Sequence, residues 1–392
     1  MDIIECTKDI EKDIINWRRE LHKIPGIDFD LDDTNRFIKN RLDEMGISYK
    51  TIAKCGIVSV IPSGKPGKTL ALRADMDGLR LKEETGLPYA SSNGCMHACG
   101  HDAHIAMLLG AAKILSMSKD KFHGNIKLIF QPAEENKGGA LPMIKEDCLE
   151  NPKVDAIAGM HIGHLFEEVE NGMVGVRCGA TMASVDKFIV KIIGKGGHGA
   201  SPERCIDPIT TASEMVTSLQ KILSREINPM HSAVITIGKI QGGTAFNIIP
   251  EEVIFEGTVR TLDSNDRDFI QKRLTEMCKD IALSNRADVD INYIRRYPVL
   301  VNDDKVTEKF VRSAKKIVGN DKIIYLKEPI MVSEDMAYYL ENVPGTFFYL
   351  GSNNIKKGII YPHHHPKFDV DEDVLYLGTA LFVQFAFDFL LE

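Results

Sequence analysis

Asn125-Ile-Lys-Leu-Ile-Phe130 decides the fold, because it reads as a short, apolar β-strand in a chain where such runs alternate with helices. Upstream, Ala103 to Leu115 is rich in Ala, Leu and Met and reads as a helix, and Thr69-Leu-Ala-Leu-Arg73 reads as another strand. Downstream, Val154-Asp-Ala-Ile-Ala158 is a further strand. Helical periodicity also runs through Ile10 to Lys23 and Thr34 to Met45. Alternation of this kind implies an α/β architecture, a mostly parallel sheet with helices on both faces.

Near Ser184 the pattern changes. Strands Val185 to Ile193, Ala233 to Ile240, Val253 to Leu262 and Val289 to Arg295 alternate with helices Asp207 to Leu223 and Asp266 to Leu283. The order β-α-β-β-α-β is the ferredoxin-like α+β arrangement. The first pattern then resumes with helices Lys305 to Val318 and Asp335 to Leu340, strand Thr346 to Leu350 and a terminal helix. The expectation is a discontinuous domain, 1–183 and 298–392, with a smaller domain at 184–297 inserted into it.

The bulk numbers restrict function. With 392 residues, 44% of them hydrophobic and 27% charged, the chain can bury a sizeable core. A formal charge of −8 with no basic run argues against a nucleic-acid partner. Val374 to Leu391 is the most apolar segment, but Gln384 and Asp388 interrupt it, so a buried helix is expected rather than a membrane span. The eight cysteines are scattered and form no disulfide framework, and no secretory pattern opens the chain, which points to the cytoplasm.

Ligand-type residues follow the strands. His97-Ala-Cys-Gly-His-Asp-Ala-His104 packs one thiol and three imidazoles just before the helix expected near Ala103. Such soft and borderline ligands suit zinc or a neighbouring first-row ion. The strand ending at Arg73 is followed by Asp75 and Asp77, and the one ending at Phe130 by Glu134-Glu135. The strand ending near Ala158 leads into His161, and strand Thr346–Leu350 leads, after a loop, into His363-His-His365. In open α/β sheets functional groups gather outside the carboxyl ends of strands, so these five segments share one rim. In a metallohydrolase one of two adjacent glutamates ligates the metal while the other handles protons. A zinc deaminase would need Pro-Cys-x-x-Cys, which is absent, and a Cys–His nucleophile pair would leave Glu135, His161 and the histidine run unexplained. A thiol redox role for Cys95 and Cys99 lacks the Cys-x-x-Cys spacing.

Together these segments resemble the aminoacylase/carboxypeptidase family of dinuclear metallopeptidases, in its amidohydrolase subgroup of hippurate hydrolases, N-acetyldiaminopimelate deacetylases and auxin-conjugate hydrolases. The resemblance covers nearly the whole chain, through Arg18-Arg-Glu-Leu-His22, Leu72-Arg-Ala-Asp-Met-Asp77, Met96 to His104, Gln131-Pro-Ala-Glu-Glu135 and Gly159-Met-His161. It continues through Gly196-Gly-His-Gly-Ala-Ser-Pro202, Gly243 to Pro250, Gly257-Thr-Val-Arg260 and His364-His-Pro-Lys-Phe368. It implies that Cys99, His101, Glu135, His161 and one histidine of the run 363–365, His364 by the register of Pro366 and Phe368, ligate two divalent ions, zinc or manganese foremost and cobalt or nickel acceptable, with Cys99 shared between them. Glu134 would be the general acid/base. The inserted domain would be a lid through which a homodimer or larger homo-oligomer forms. His198 would stabilise the oxyanion in a neighbouring subunit's site, while Asn247 and Arg260 hold the substrate's carboxylate. Asp75 stands where other branches carry a ligating histidine, and with Asp77 it is expected to orient ligands. One departure is Pro25-Gly26, where the family usually has Pro-Glu. The implied reaction is amide hydrolysis of a small N-acyl-L-amino acid. The alternatives are a carboxypeptidase or dipeptidase, and a metal-binding protein without catalysis.

Overall fold

The computed structural model describes residues 1–391 and divides into two compact units. The first comprises Met1–Gly179, Val301–Glu328 and the chain from Asp335 on; the second comprises Ala180–Leu300 and Pro329–Glu334.

The first unit is built on an eight-stranded sheet, ordered Tyr49–Ile52, Gly56–Pro62, Asn125–Gln131, Thr69–Asp75, Ala156–Gly163, Gly345–Gly351, Val174–Val176 and Ile323–Tyr325. Its four middle strands, from Asn125–Gln131 to Gly345–Gly351, run parallel. Almost every residue in them is buried, as expected for strands covered by helices on both faces. The sheet is nevertheless mixed: Gly56–Pro62 pairs antiparallel with both Tyr49–Ile52 and Asn125–Gln131. The hairpin 49–62 was not legible in the sequence for a physical reason. Its turn takes positive φ at Ala53 (46°) and Lys54 (70°), residues that carry no Asn-Gly type signal.

Helix His101–Ser116 is buried on nearly all sides, so it lacks an amphipathic stripe. It packs against Glu11–His22 and the C-terminal helix Leu375–Leu391. That last helix is long and apolar enough to cross a membrane, but 78% of its apolar window is buried within the protein. The two long helices approach closely: a Cβ on Gly378 would lie 2.1 Å from Met107 Sδ, and Thr379 Oγ1 donates to Met107 O at 3.0 Å.

The second unit has an antiparallel sheet ordered Ala233–Gly242, Glu252–Thr261, Asp186–Ile193, Asp288–Arg295, the ferredoxin-like order. Helices Pro208–Lys221 and Ser264–Ser284 cover one face, burying Phe188, Val190, Phe255, Met215 and Leu274. Asp207 and Asp263 cap the two helices by accepting backbone N–H bonds. Segment Pro329–Glu334 joins this unit through Ala183, whose N–H meets Ile330 O and Val332 O.

Candidate metal centre

Two local details differ from the sequence reading, and both tighten the site. The strand expected to stop near Ala158 continues to Gly163, so His161 lies inside it rather than after it. A strand buried on both faces shows no polar boundary by which its end could be read. The helix expected near Ala103 begins at His101, entered through Gly100 at φ 84°. A Cβ on Gly100 would lie 2.8 Å from Ile162 Cγ2, so the loop needs glycine for both conformation and space.

The ligand candidates converge. Cys99 Sγ lies 3.4 Å from His161 Nε2. His101 Nε2 lies 3.8 Å from Glu135 Oε1, and His364 Nε2 lies 3.3 Å from Glu135 Oε2. Ligand atoms of Cys99, His101 and His161 fall within 4.8 Å of one another, as do those of Cys99, Glu135 and His364 and those of His101, Glu134 and Glu135. His101 and Cys99 are nearly fully buried, and Glu134 is buried too.

Hydrogen bonds aim these groups. His101 Nδ1 donates to Asp77 O at 2.8 Å, and His161 Nδ1 donates to Ile162 O at 2.8 Å. Each ring therefore turns its Nε2 toward the centre. Asp77 reaches across to the glutamate pair: Oδ1 accepts the Glu134 N–H at 2.9 Å and Oδ2 the Glu135 N–H at 3.2 Å. Ala133, just before the pair, sits at φ 57°, and His364 at φ 64°. Non-glycine residues in this region cost about 1–3 kcal/mol and persist where the surroundings over-determine them.

The histidine run resolves into three roles. His363 is half-buried, donates Nε2–H to Ile162 O at 3.0 Å and packs against Gly163, where a Cβ would lie 2.1 Å from its ring. His365 stacks on Tyr361 at 4.5 Å. His364 alone of the three is paired with Glu135, its N–H anchored to Ala98 O at 2.9 Å.

The electrostatics describe a cation site. Burial alone would lower the His101 pKa, but Asp75, Asp77 and Glu135 raise it to about 10. Burial, with Glu135, Glu134 and Asp75 nearby, pushes the Cys99 thiol well above its usual range. Burial and the neighbouring rings of His104 and His363 hold His161 neutral. Asp77 is pushed up by burial to about 6. The carboxylates thus hold an unmet demand for positive charge. Two buried atoms in the centre, His101 Nε2 and Glu135 Oε1, have no hydrogen-bond partner. Nitrogen, sulfur and oxygen donors that give up their protons on binding fit divalent transition-metal ions.

Of the remaining candidates, His198, Asn247 and Arg260 belong to the second unit and Asp75 to the first. His198 and Asn247 meet on one short ladder: Ile248 pairs with His198, and Gly199 N–H donates to Asn247 O at 2.9 Å. Arg260 lies on Glu252–Thr261, its Nη1 donating to Met331 O at 3.0 Å. Asp75 holds His104 and Arg73, bonding His104 Nδ1 at 2.5 Å and Arg73 Nη1 at 2.7 Å.

Sequence reading missed the groups beneath the centre. Arg18 donates to Asp102, Asp369 and Glu372, and His22 bridges Asp102 and Glu83. Arg73, Gln131 and Asp335 form a second buried network. The available signals were the motif Arg18-Arg-Glu-Leu-His22 and His104, a helical turn beyond His101.

A mixed sheet with a metal-ligand rim and a separate ferredoxin-like unit defines a class, and the sequence comparison names it. Residues 71–388 match the model of peptidase family M20/M25/M40, and the chain belongs to that family. It is similar to the N-acetyl-L-cysteine deacetylase of Bacillus subtilis, 40% identical over 93% of this chain and 85% of the relative. It is 38% identical to thermostable carboxypeptidase 1 of Saccharolobus solfataricus, covering 97% of both chains. In three dimensions it resembles the Bacillus subtilis YXEP protein, a dinuclear metal-binding peptidase of the M20 family, with a TM-score of 0.83 and 32% identity over 98% of this chain and 99% of that one.

Proposed function

We propose that this chain is a metal-dependent amidohydrolase that cleaves the amide of N-acyl-L-amino acids, with Cys99, His101, Glu135, His161 and His364 holding two divalent ions. The observation that carries this is the convergence of those five side chains beside a Glu134-Glu135 pair whose amides are both held by Asp77. Bound there, zinc, manganese, cobalt or nickel would supply Lewis-acid polarisation of the acyl carbonyl and acidify water. Cys99, a member of both ligand groups, would be the donor they share.

Glu134 accepts the attacking water's proton and returns it to the departing amine nitrogen. Its neighbour Glu135 is paired with His364 and lies 3.8 Å from His101 Nε2, which supports dividing the pair into proton carrier and ligand. The family's lid chemistry is assigned to the second unit. Arg260 offers a planar fork suited to a carboxylate, and its Nη1 is anchored to Met331 O and Ser333 Oγ. Asn247 assists it, and His198 donates to the developing oxyanion in a partner subunit.

Homo-oligomerisation through this unit is supported by its edge. Strand Ala233–Gly242 is bonded on one side only, and Ile240, Phe246 and Ile248 nearby are exposed, Phe246 completely. A charge placed there by Ile240→Lys should shift the sedimentation coefficient to that of a monomer. The small-molecule amide is the partner, with neither nucleic acid nor membrane involved. Eight unpaired cysteines support a cytoplasmic location.

The deciding variant is Glu134→Gln. It should retain both ions while turnover falls by about 10³-fold or more. Near-normal turnover would remove Glu134 from the mechanism. The second reading, peptide-bond cleavage from the carboxyl end, is favoured by the resemblance to thermostable carboxypeptidase 1. Comparing N-acetyl, N-benzoyl and N-indolyl amino acids with dipeptides, for protein loaded with each metal, separates the two.

A further inference from the structure

We propose that His104 is a positioning residue of the metal centre, one that sets the spacing between His101 and His161 without touching either ion. The proposal rests on the reading of His101 and His161 as ligands.

His104 has the residue type, burial and proximity of a ligand. It is 1% exposed, its ring stacks on His101 at 5.4 Å, and it meets the His161 ring edge-on at 4.9 Å. Both of its nitrogens are already committed. Nε2 lies 2.9 Å from the backbone N–H of Ile162, and an amide can only donate, so Nε2 is the acceptor. The ring proton is therefore on Nδ1, which donates to Asp75 Oδ1 at 2.5 Å. No lone pair remains for a cation.

The amide it holds is the one that needs holding. The ladder between Thr69–Asp75 and Ala156–Gly163 ends at Gly159, so Ile162 has no partner from that strand. A buried amide left unpaired there would be costly. His104 accepts its N–H, while Ile162 O takes the Nδ1–H of His161 and the Nε2–H of His363. Ile162, the residue that follows His161, is gripped through both its N–H and its C=O. On the far side, Asp75 is fixed by Arg73 Nη1 at 2.7 Å, and Arg73 by Gln131 at 3.0 Å and Asp335 at 2.9 Å, all of them buried. His101 and His104 ride on the same helix, so the chain Arg73–Asp75–His104–Ile162 bolts the helix bearing one ligand to the strand bearing another.

The test compares variants of the whole chain by zinc affinity, measured against a competing chelating dye, and by thermal melting of the metal-free protein. His104→Asn places an amide near the Nδ1 position and can keep the Asp75 bond, but loses Ile162. His104→Gln reaches the Nε2 position and can keep Ile162. His104→Asn should still load two ions at excess zinc, with affinity for at least one weakened about 10–100-fold, and His104→Gln should recover most of that loss. Wild-type affinity in His104→Asn together with a lowered melting temperature would reduce His104 to a core residue and overturn the proposal. Loss of one ion at any zinc concentration would make it a ligand and overturn it equally. Should His104→Asn fail to fold, Asp75→Asn interrupts the same chain from its other end, and unchanged affinity there would overturn the proposal. His161→Ala is the control. If it still loads two ions at wild-type affinity, the ligand reading itself fails, and that failure is visible separately from His104.

Discussion

Asp77→Asn is the sharpest perturbation of the centre, because it changes one atom and leaves shape intact. Asp77 is 1% exposed, and its two oxygens serve two different amides, Glu134 N–H at 2.9 Å and Glu135 N–H at 3.2 Å. Asparagine has one oxygen and one NH₂, so in either orientation one of those amides faces a donor. A hydrogen bond to a charged group contributes about 1.5–3 kcal/mol, and a buried donor left without an acceptor adds about 1–3 kcal/mol, for a destabilisation of about 2.5–6 kcal/mol. The catalytic effect should be separate from this. If the loop carrying Glu134 moves by about 1 Å, a loss near 10²-fold is expected, and about 10³-fold if Glu135 moves with it. The assay is kcat/KM on an N-acetyl amino acid at saturating metal, alongside urea unfolding and metal content. A rate within about threefold of wild type would refute the claim that these two bonds position the pair. A lowered unfolding midpoint with an intact kcat would assign Asp77 to the fold and not to the chemistry.

Other outcomes follow from the buried charges. Arg18→Lys keeps the charge but can reach only one of Asp102, Asp369 and Glu372; metal-free protein should lose about 3–5 kcal/mol in urea unfolding, and a loss under about 1 kcal/mol would contradict the hub. Burial and Arg18 lower the His22 pKa, but Asp102 and Glu83 outweigh them and the folded value is raised. A raised histidine contributes stability that is complete below its unfolded value near 6.5 and is lost as pH climbs through the folded value. The stability gap between wild type and His22→Gln should therefore be wider at pH 6 than at pH 9, and a pH-independent gap would count against the ion pairs. Loading metal-free protein with zinc at pH 8 should release about two protons per chain, from His101, held protonated to about 10, and from the Cys99 thiol. Calorimetry in buffers of different ionisation enthalpy measures that number, and zero release would contradict ligation by these groups.

How much of this was legible beforehand depends on the range of the interaction. The parallel strands and the ferredoxin-like order come from periodicity within about ten residues, and they were readable to within a few positions. The hairpin 49–62 was not, since its turn uses Ala53 and Lys54 at positive φ, conformations that side-chain chemistry does not announce. Arg18 was visible only as part of a motif. Its partners Asp102 and Asp369 are 84 and 351 residues away, and no local pattern encodes such pairings.

By itself the sequence determined the α/β class, the inserted ferredoxin-like order and the donor types that follow the strands, because hydrophobic period and ligand chemistry are properties of neighbouring residues. Only the tertiary structure decided which histidine of 363–365 pairs with Glu135, that His104 spends both nitrogens on Asp75 and Ile162, and that Asp77 holds the glutamate amides. Each depends on where a lone pair or an N–H points once segments far apart in the chain are packed together, and directionality of that kind appears only when the chain is folded.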